Sequence, residues 1–181
     1  MNDVIFNEVK AALKAGTEVN DHPFRCFTLA TMGVDQYARL RTVVLRSVSP
    51  ALQLRFYTDK RSKKVLHIKE SNKVSLLFYD PEESVQIRIE GRASIVSDHN
   101  EIEALWATVQ VHSKKEYTKV SAPGSAIAHP DAIDYLGAEN HFCMVDIEPF
   151  KIEYLKLQLP NHLKLRFWRE DNTWNSEYLV P

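Results

Sequence analysis

Between Arg39 and Arg92 the chain lays down one apolar, β-branched run after another: RLRTVVLRSV, LQLRFYTD, NKVSLLFY and ESVQIRIEGR. Runs of this length bounded by turn residues predict strands. Many short strands with few helices predict a closed β-barrel, because closure removes exposed sheet edges. Each run also carries Arg, Lys, Ser, Thr or Gln among its Val, Ile and Leu residues. Period-two geometry puts Arg39, Arg41, Val43 and Leu45 on one face of the second strand, and Leu40, Thr42, Val44 and Arg46 on the other. An arginine facing a barrel interior is costly unless an anion answers it. Its planar fork fits phosphate oxygens two at a time. The alternative for each arginine is a solvated strand end or a glutamate partner.

A second basic feature follows the third run. Tyr57 and Thr58 end that strand, and Lys60, Arg61, Ser62, Lys63 and Lys64 come next. Ser62 suits the cap of a helix over KKVLHIKES, with Val65, Leu66 and Ile68 on its apolar side. Free N–H groups and the dipole at that terminus favour an anion, and lysines in a first turn disfavour the helix unless one is bound. The bland reading is a solvated charged face. On the fifth strand Gln86, Arg88, Glu90 and Arg92 share a face opposite Val85, Ile87 and Ile89. A glutamine amide both donates and accepts, which suits the edge of a heteroaromatic ring. Glu90 and Arg92 read better as members of an outer polar face with ion pairs across the strands.

The remaining elements are predicted from the same signals. Asn2 or Asp3 caps a helix with Ile5, Val9 and Leu13 on one face and Gly16 just past its end. FRCFTLATMG is the first strand, Gly33 to Gln36 a turn, and Tyr37 to Val48 the second strand. Leu52 to Tyr57, Lys73 to Tyr79 and Ser84 to Val96 are the next three strands. Asp98 caps a helix through Trp106, and Lys114 to Val120 is a second short helix. SAPGSAIAHPDAIDYLGAENH is a long loop of the kind that carries function or forms an interface. Strands resume at FCMVDIEP, IEYLKLQ, HLKLRFWR and TWNSEYLVP, with a turn at Asp171-Asn172. No repeat, low-complexity tract or second domain interrupts residues 1–181.

Composition narrows the function classes. A formal charge of −1 argues against binding nucleic acid or an anionic membrane with the whole surface. No run approaches a membrane span, and the amino terminus lacks the pattern of a signal peptide, so a cytoplasmic location is expected. Cys26 and Cys143 lie in apolar runs and read as buried free thiols. The histidines and carboxylates between His129 and His141 match no zinc spacing, so no metal is expected. Walker, G-x-S-x-G and G-x-G-x-x-G patterns are absent.

Taken together, RTVVLR (Arg41 to Arg46), FYTDKRSKK (Phe56 to Lys64), NKVSLLFY, SVQIRIEGRA and REDNTW resemble the pyridoxamine 5′-phosphate oxidase family of FMN-binding split barrels, from about Phe24 to Pro181. The resemblance implies a mostly β, α+β fold: a six-stranded antiparallel split barrel with flanking helices, homodimeric, with FMN at the subunit interface. It implies Arg41 and Lys64 as phosphate ligands assisted by Ser62 and Lys63. It further implies backbone contacts to the flavin from Thr42, Val43, Val44 and Leu45, with Arg46 standing near the ring where the family has a lysine. Tyr57 and Thr58 match phosphate and ribityl contacts, and Gln86 a flavin contact. Gly124 and Ser125 match the second subunit's contribution. The carboxyl-terminal part departs from the vitamin B6 enzymes. Pro160 and Lys164 stand where those carry arginines, Leu155 replaces a tryptophan, and His162 alone survives as the substrate-proximal candidate. The implied activity is FMN-dependent oxidation or reduction of a small molecule by a shorter relative of the vitamin B6 oxidase. The oxidase itself, or a flavin- or haem-binding module without turnover, are the alternatives.

Overall fold

The computed structural model describes residues 2–171 and 173–181. Its body is one antiparallel sheet built from β1 (Cys26–Met32), β2 (Ala38–Val44), β3 (Ser47–Val48), β4 (Leu54–Asp59), β5 (Lys73–Asp80), β6 (Val85–Ile95), β7 (Phe142–Lys156), β8 (Leu163–Glu170) and β9 (Thr173–Tyr178). Flanking it are α1 (Asp3–Glu18), α2 (Lys63–Glu70), α3 (His99–Thr108) and α4 (Val111–Lys114), with 3-10 turns at Pro23–Arg25 and Lys115–Tyr117. Six strands make the curved body in the order β2-β1-β5-β6-β7-β4, while β3 pairs with the end of β4 and β8 and β9 extend from β7. Among the described residues no helix is long and apolar enough to cross a membrane.

The expected closed barrel is split instead. The run read as one strand from Tyr37 to Val48 changes partners in the middle. Leu45 N–H donates to the Arg25 carbonyl beside β1, and the next amide, Arg46 N–H, donates to the Arg55 carbonyl on β4, both at 2.8 Å. The two ends of the sheet meet through this switch, and no ladder joins β2 to β4 among the described residues.

Alternation builds the core. Phe27 and Leu29 of β1, Phe56 of β4, Leu76 and Phe78 of β5, and Ile87 and Ile89 of β6 all point inward and are buried. The α1 helix adds Phe6, Val9 and Leu13, with the Phe6 ring 5.1 Å from that of Phe167. Gly16 lies inside α1 rather than past its end. A Cβ there would stand 2.7 Å from the Phe24 carbonyl oxygen, so this glycine permits close packing instead of terminating the helix.

Four further expectations are corrected. FCMVDIEP and IEYLKLQ are one strand, β7, interrupted by a bulge: Gly91 faces Pro149 and Glu90 faces Lys151, leaving Phe150 as the extra residue. On α2, Leu66 is exposed and His67 is buried in its place beside Val65 and Ile68. Cys26 is exposed, whereas Cys143 is buried, and burial pushes its thiol up to about 11. The helix expected from Lys114 to Val120 starts earlier, as α4, and gives way to the 3-10 turn. The expected turn at Asp171-Asn172 includes Asn172, which lies outside the described residues.

Candidate functional site

The strand alternation that builds the core also leaves polar side chains at one end of the barrel. Arg41 projects from the inward face of β2. Its Nη1 donates to Thr31 Oγ1 at 2.7 Å and to the Leu29 carbonyl at 3.3 Å, both on neighbouring β1. Thr58 ends the inward face of β4, and the loop that follows leads directly into α2. Lys64 Nζ, from the first turn of α2, donates to Thr58 Oγ1 at 3.0 Å, and Ser62 Oγ lies 3.2 Å from the same oxygen. Thr58 and Ser62 are both buried.

Ser62 occupies the cap position of α2, but its hydroxyl makes no capping bond. It is turned toward Thr58 instead. The amides of Lys63 and Lys64 have no backbone partner among the described residues. The first turn of α2 holds no acidic residue. These are the conditions under which a helix terminus accepts an anion.

Electrostatics point the same way. Burial holds the Arg41 pKa below its ordinary value. Burial also lowers that of Lys64, and the neighbouring Arg41 cation lowers it further. Neither cation has a carboxylate within 4.0 Å among the described residues. Two desolvated positive groups, each bonded to a buried hydroxyl and without a counter-charge, are chemistry that suits a small dianion.

The neighbouring Arg61 behaves differently. Its guanidinium grips buried Asp59 through Nε at 3.1 Å and Nη2 at 2.8 Å, and its remaining donors reach the carbonyls of Lys119, Val120 and Ser121. Arg61 therefore ties the start of the long loop to the foot of α2. Lys63 is exposed.

The other sequence candidates fall elsewhere. Arg46 emerges from the strand switch with its guanidinium 5.5 Å from the centre of the Tyr57 ring. Its Nε is buried without a hydrogen-bond partner. Arg46, Arg25, Tyr57, Gln110, Ser113 and Tyr117 line a cavity of about 280 Å³. Burial raises the pKa of both tyrosines. Adjacent residues of β4 thus serve two places, Thr58 the dianion pocket and Tyr57 this cavity. Val43 and Leu45 are buried in the core, whereas Thr42 is exposed and Val44 half-buried on the outward face of β2. Gln86 stands on the outward face of β6, opposite Tyr79 on one side and Leu155 on the other.

Ser125 lies in the long loop, exposed, with its N–H on the Ala122 carbonyl at 3.1 Å, and no hydrogen bond links it to the pocket within one chain. His162 is exposed between β7 and β8, where its Nδ1 accepts from Gln158 N–H at 3.1 Å. Two members of the pocket had no sequence signal attached to them, Thr31 and His67. Thr31 occupies an inward position of β1 in line with Phe27 and Leu29, and a polar residue at a core position was the available clue.

Comparison with known proteins identifies the family. Residues 7–97 match the family model for the pyridoxamine 5′-phosphate oxidase FMN-binding domain. That stretch contains β1 to β6 and all of α2, hence every residue of the dianion pocket. A curated relative from Arabidopsis thaliana, pyridoxine/pyridoxamine 5′-phosphate oxidase 2, is 25% identical over 95% of this chain and 96% of its own length. Among solved structures, a pyridoxamine 5′-phosphate oxidase-related, FMN-binding protein from Nostoc punctiforme superposes with a TM-score of 0.79 at 23% identity, covering 97% of this chain and 96% of that one. PhzG from Burkholderia lata, solved with tetrahydrophenazine-1-carboxylic acid, gives 0.78 at 22% identity, covering 99% and 92%. These two structures share the mostly β, split-barrel fold. The hydroxyl-lined pair of unanswered cations suits the phosphate of FMN, and the chain belongs to the pyridoxamine 5′-phosphate oxidase family of FMN-binding domains.

Proposed function

We propose that this protein is an FMN-dependent oxidoreductase that acts as a homodimer on a small-molecule substrate. The observation that carries the reading is the pair Arg41 and Lys64, desolvated, mutually repelling and lacking a carboxylate. Arg41 and Lys64 would hold the phosphate, with the Ser62 and Thr58 hydroxyls and the first amides of α2 completing its hydrogen bonds. When bound, FMN supplies the hydride-transfer chemistry, and the protein supplies position, electrostatics and exclusion of water.

The flavin-directed candidates Thr42, Val44 and Gln86 stand on the outward face of the barrel. That face also exposes Met32, Leu40, Leu77 and Tyr79. A second copy of the chain seated there would cover the apolar patch and enclose the ring between subunits. In that assembly the loop bearing Gly124 and Ser125, anchored by Arg61, belongs to the partner's site. The cavity beside Arg46 would receive a polar or anionic edge of the substrate, because the buried Nε still lacks an acceptor. His162 is the remaining substrate-side candidate.

Purified protein titrated with FMN should quench the ligand's fluorescence, take on a flavin visible spectrum and sediment as a dimer. Protein that leaves FMN fluorescence untouched contradicts the reading. Reduction of the bound flavin by a nicotinamide cofactor or an amine substrate would separate an enzyme from a binding module. A second reading, pyridoxine/pyridoxamine 5′-phosphate oxidase, is favoured by the name of the Arabidopsis relative. Against it stand Pro160 and Lys164 at the expected arginine positions, and assay with pyridoxamine 5′-phosphate decides between the two.

A further inference from the structure

We infer that Thr31 and His67 form a relay that positions Arg41 for the phosphate group, an inference that rests on the FMN reading. Thr31 Oγ1 sits between two groups, 2.7 Å from Arg41 Nη1 and 3.0 Å from His67 Nδ1. Both Thr31 and His67 are buried. A guanidinium can only donate, so the Thr31 oxygen accepts from Arg41; toward His67 Nδ1 it donates its own proton when that nitrogen is unprotonated and accepts when that nitrogen carries the hydrogen. The relay takes the first of these polarities: Arg41 N–H to Thr31, Thr31 O–H to the unprotonated Nδ1 of a neutral imidazole. Burial first, and then the Arg41 and Arg39 cations, hold the imidazole pKa below its ordinary value, which agrees with the neutral form.

The relay crosses the pocket. Arg41 comes from β2, Thr31 from β1, and His67 from α2, three residues on from Lys64. It therefore ties the strand half of the phosphate pocket to its helix half. With Nη1 engaged by Thr31 and Leu29, the Nη2 edge and Nε of Arg41 have no protein partner among the described residues and remain for a ligand. Removing the acceptor nitrogen would leave the Thr31 proton unpaired in the core, and the hydroxyl would be free to rotate away from its present orientation. Thr31 and His67 are positioning residues here, acting on the phosphate through Arg41.

The test compares FMN with riboflavin, which lacks the phosphate, by fluorescence titration of the full chain. Wild type should prefer FMN, and Thr31→Val and His67→Phe should each reduce that preference about tenfold, the worth of one hydrogen bond to a charged group. Riboflavin affinity should stay within about twofold, since its binding does not use Arg41. The double variant should lose no more than Thr31→Val alone, because both act through one chain. His67→Asn, which restores an acceptor near the Nδ1 position, and Thr31→Ser should recover most of the preference. Variants that keep the wild-type preference, or lose FMN and riboflavin affinity in parallel, overturn the relay. A wild type with no preference for FMN overturns the phosphate reading itself.

Discussion

Two half-buried arginines on strands of the same barrel, Arg55 and Arg41, meet opposite fates. Arg55 on β4 is answered on every side: Nε and Nη2 grip Asp146 at 2.6 and 2.8 Å, and Nη1 reaches Glu101 on α3 at 2.6 Å. The hydrogen bonds to Asp146 lead the causes that raise its pKa. Arg41 on β2 finds a hydroxyl and a carbonyl but no carboxylate, and its pKa is lowered by burial. The first arginine fastens α3 to the sheet, and its charge is spent inside the fold. The second keeps its charge available at a standing cost to the empty protein. The same contrast recurs within one basic run, where Arg61 is consumed by Asp59 and loop carbonyls while Lys64 is left with Thr58. A cation's partners, rather than its burial, set Arg55 and Arg61 apart from Arg41 and Lys64.

That contrast can be broken most directly at Arg41. Arg41→Met should weaken FMN binding by about 3 kcal/mol, on the order of 100-fold, while the empty protein melts no lower than wild type. Unchanged FMN affinity would abolish the distinction. Asp146→Ala should do the reverse. It leaves Arg55 without its main partner and should lower stability by about 2–3 kcal/mol in urea denaturation, with FMN affinity unaltered. Lys64→Met should weaken FMN by about 1.5 kcal/mol, roughly tenfold, measured in the same titration.

A smaller effect follows from pH. His67 and His141 both have folded pKa values held below the ordinary 6.5, chiefly by burial. In the window between those lowered values and 6.5 the unfolded chain binds more protons than the folded one, so stability rises with pH there. Denaturation midpoints should therefore fall as pH drops below about 6.5, and His67→Asn should flatten that slope. Midpoints that rise on acidification through this window would show that these histidines are not held neutral. Least affected should be Arg88→Ala. Its pairing with Glu153 at 2.7 Å lies on the exposed face, where the loss should stay within about 1 kcal/mol.

Much of this was legible in the chain because β-strands write their pattern with a period of two. The inward set Val85, Ile87 and Ile89 and the outward set Gln86, Arg88 and Glu90 are arranged as alternation predicts. What the pattern could not carry was any change of partner or face. The switch at Leu45 and Arg46 leaves the apolar run unbroken, so one strand was expected where two partners are used. The bulge at Phe150 hides behind Pro149, which reads as a strand end. Gly16 looks like a terminator, and only the nearness of Phe24 shows it to be a contact. Arg41 and Lys64 stood out in the chain as an arginine on a strand face and a lysine in a helix's first turn, and the family resemblance supplied their expected phosphate role. Thr31 and His67 did not stand out, since a threonine in a strand and a histidine in a helix are ordinary until their 3.0 Å contact is seen.

The most direct measurement is a pair of calorimetric titrations of the wild-type protein, one with FMN and one with riboflavin, under the same buffer and salt. If Arg41 and Lys64 wait for a phosphate, FMN should bind at least about 100-fold more tightly. Equal affinities would mean that the unanswered cations serve something else.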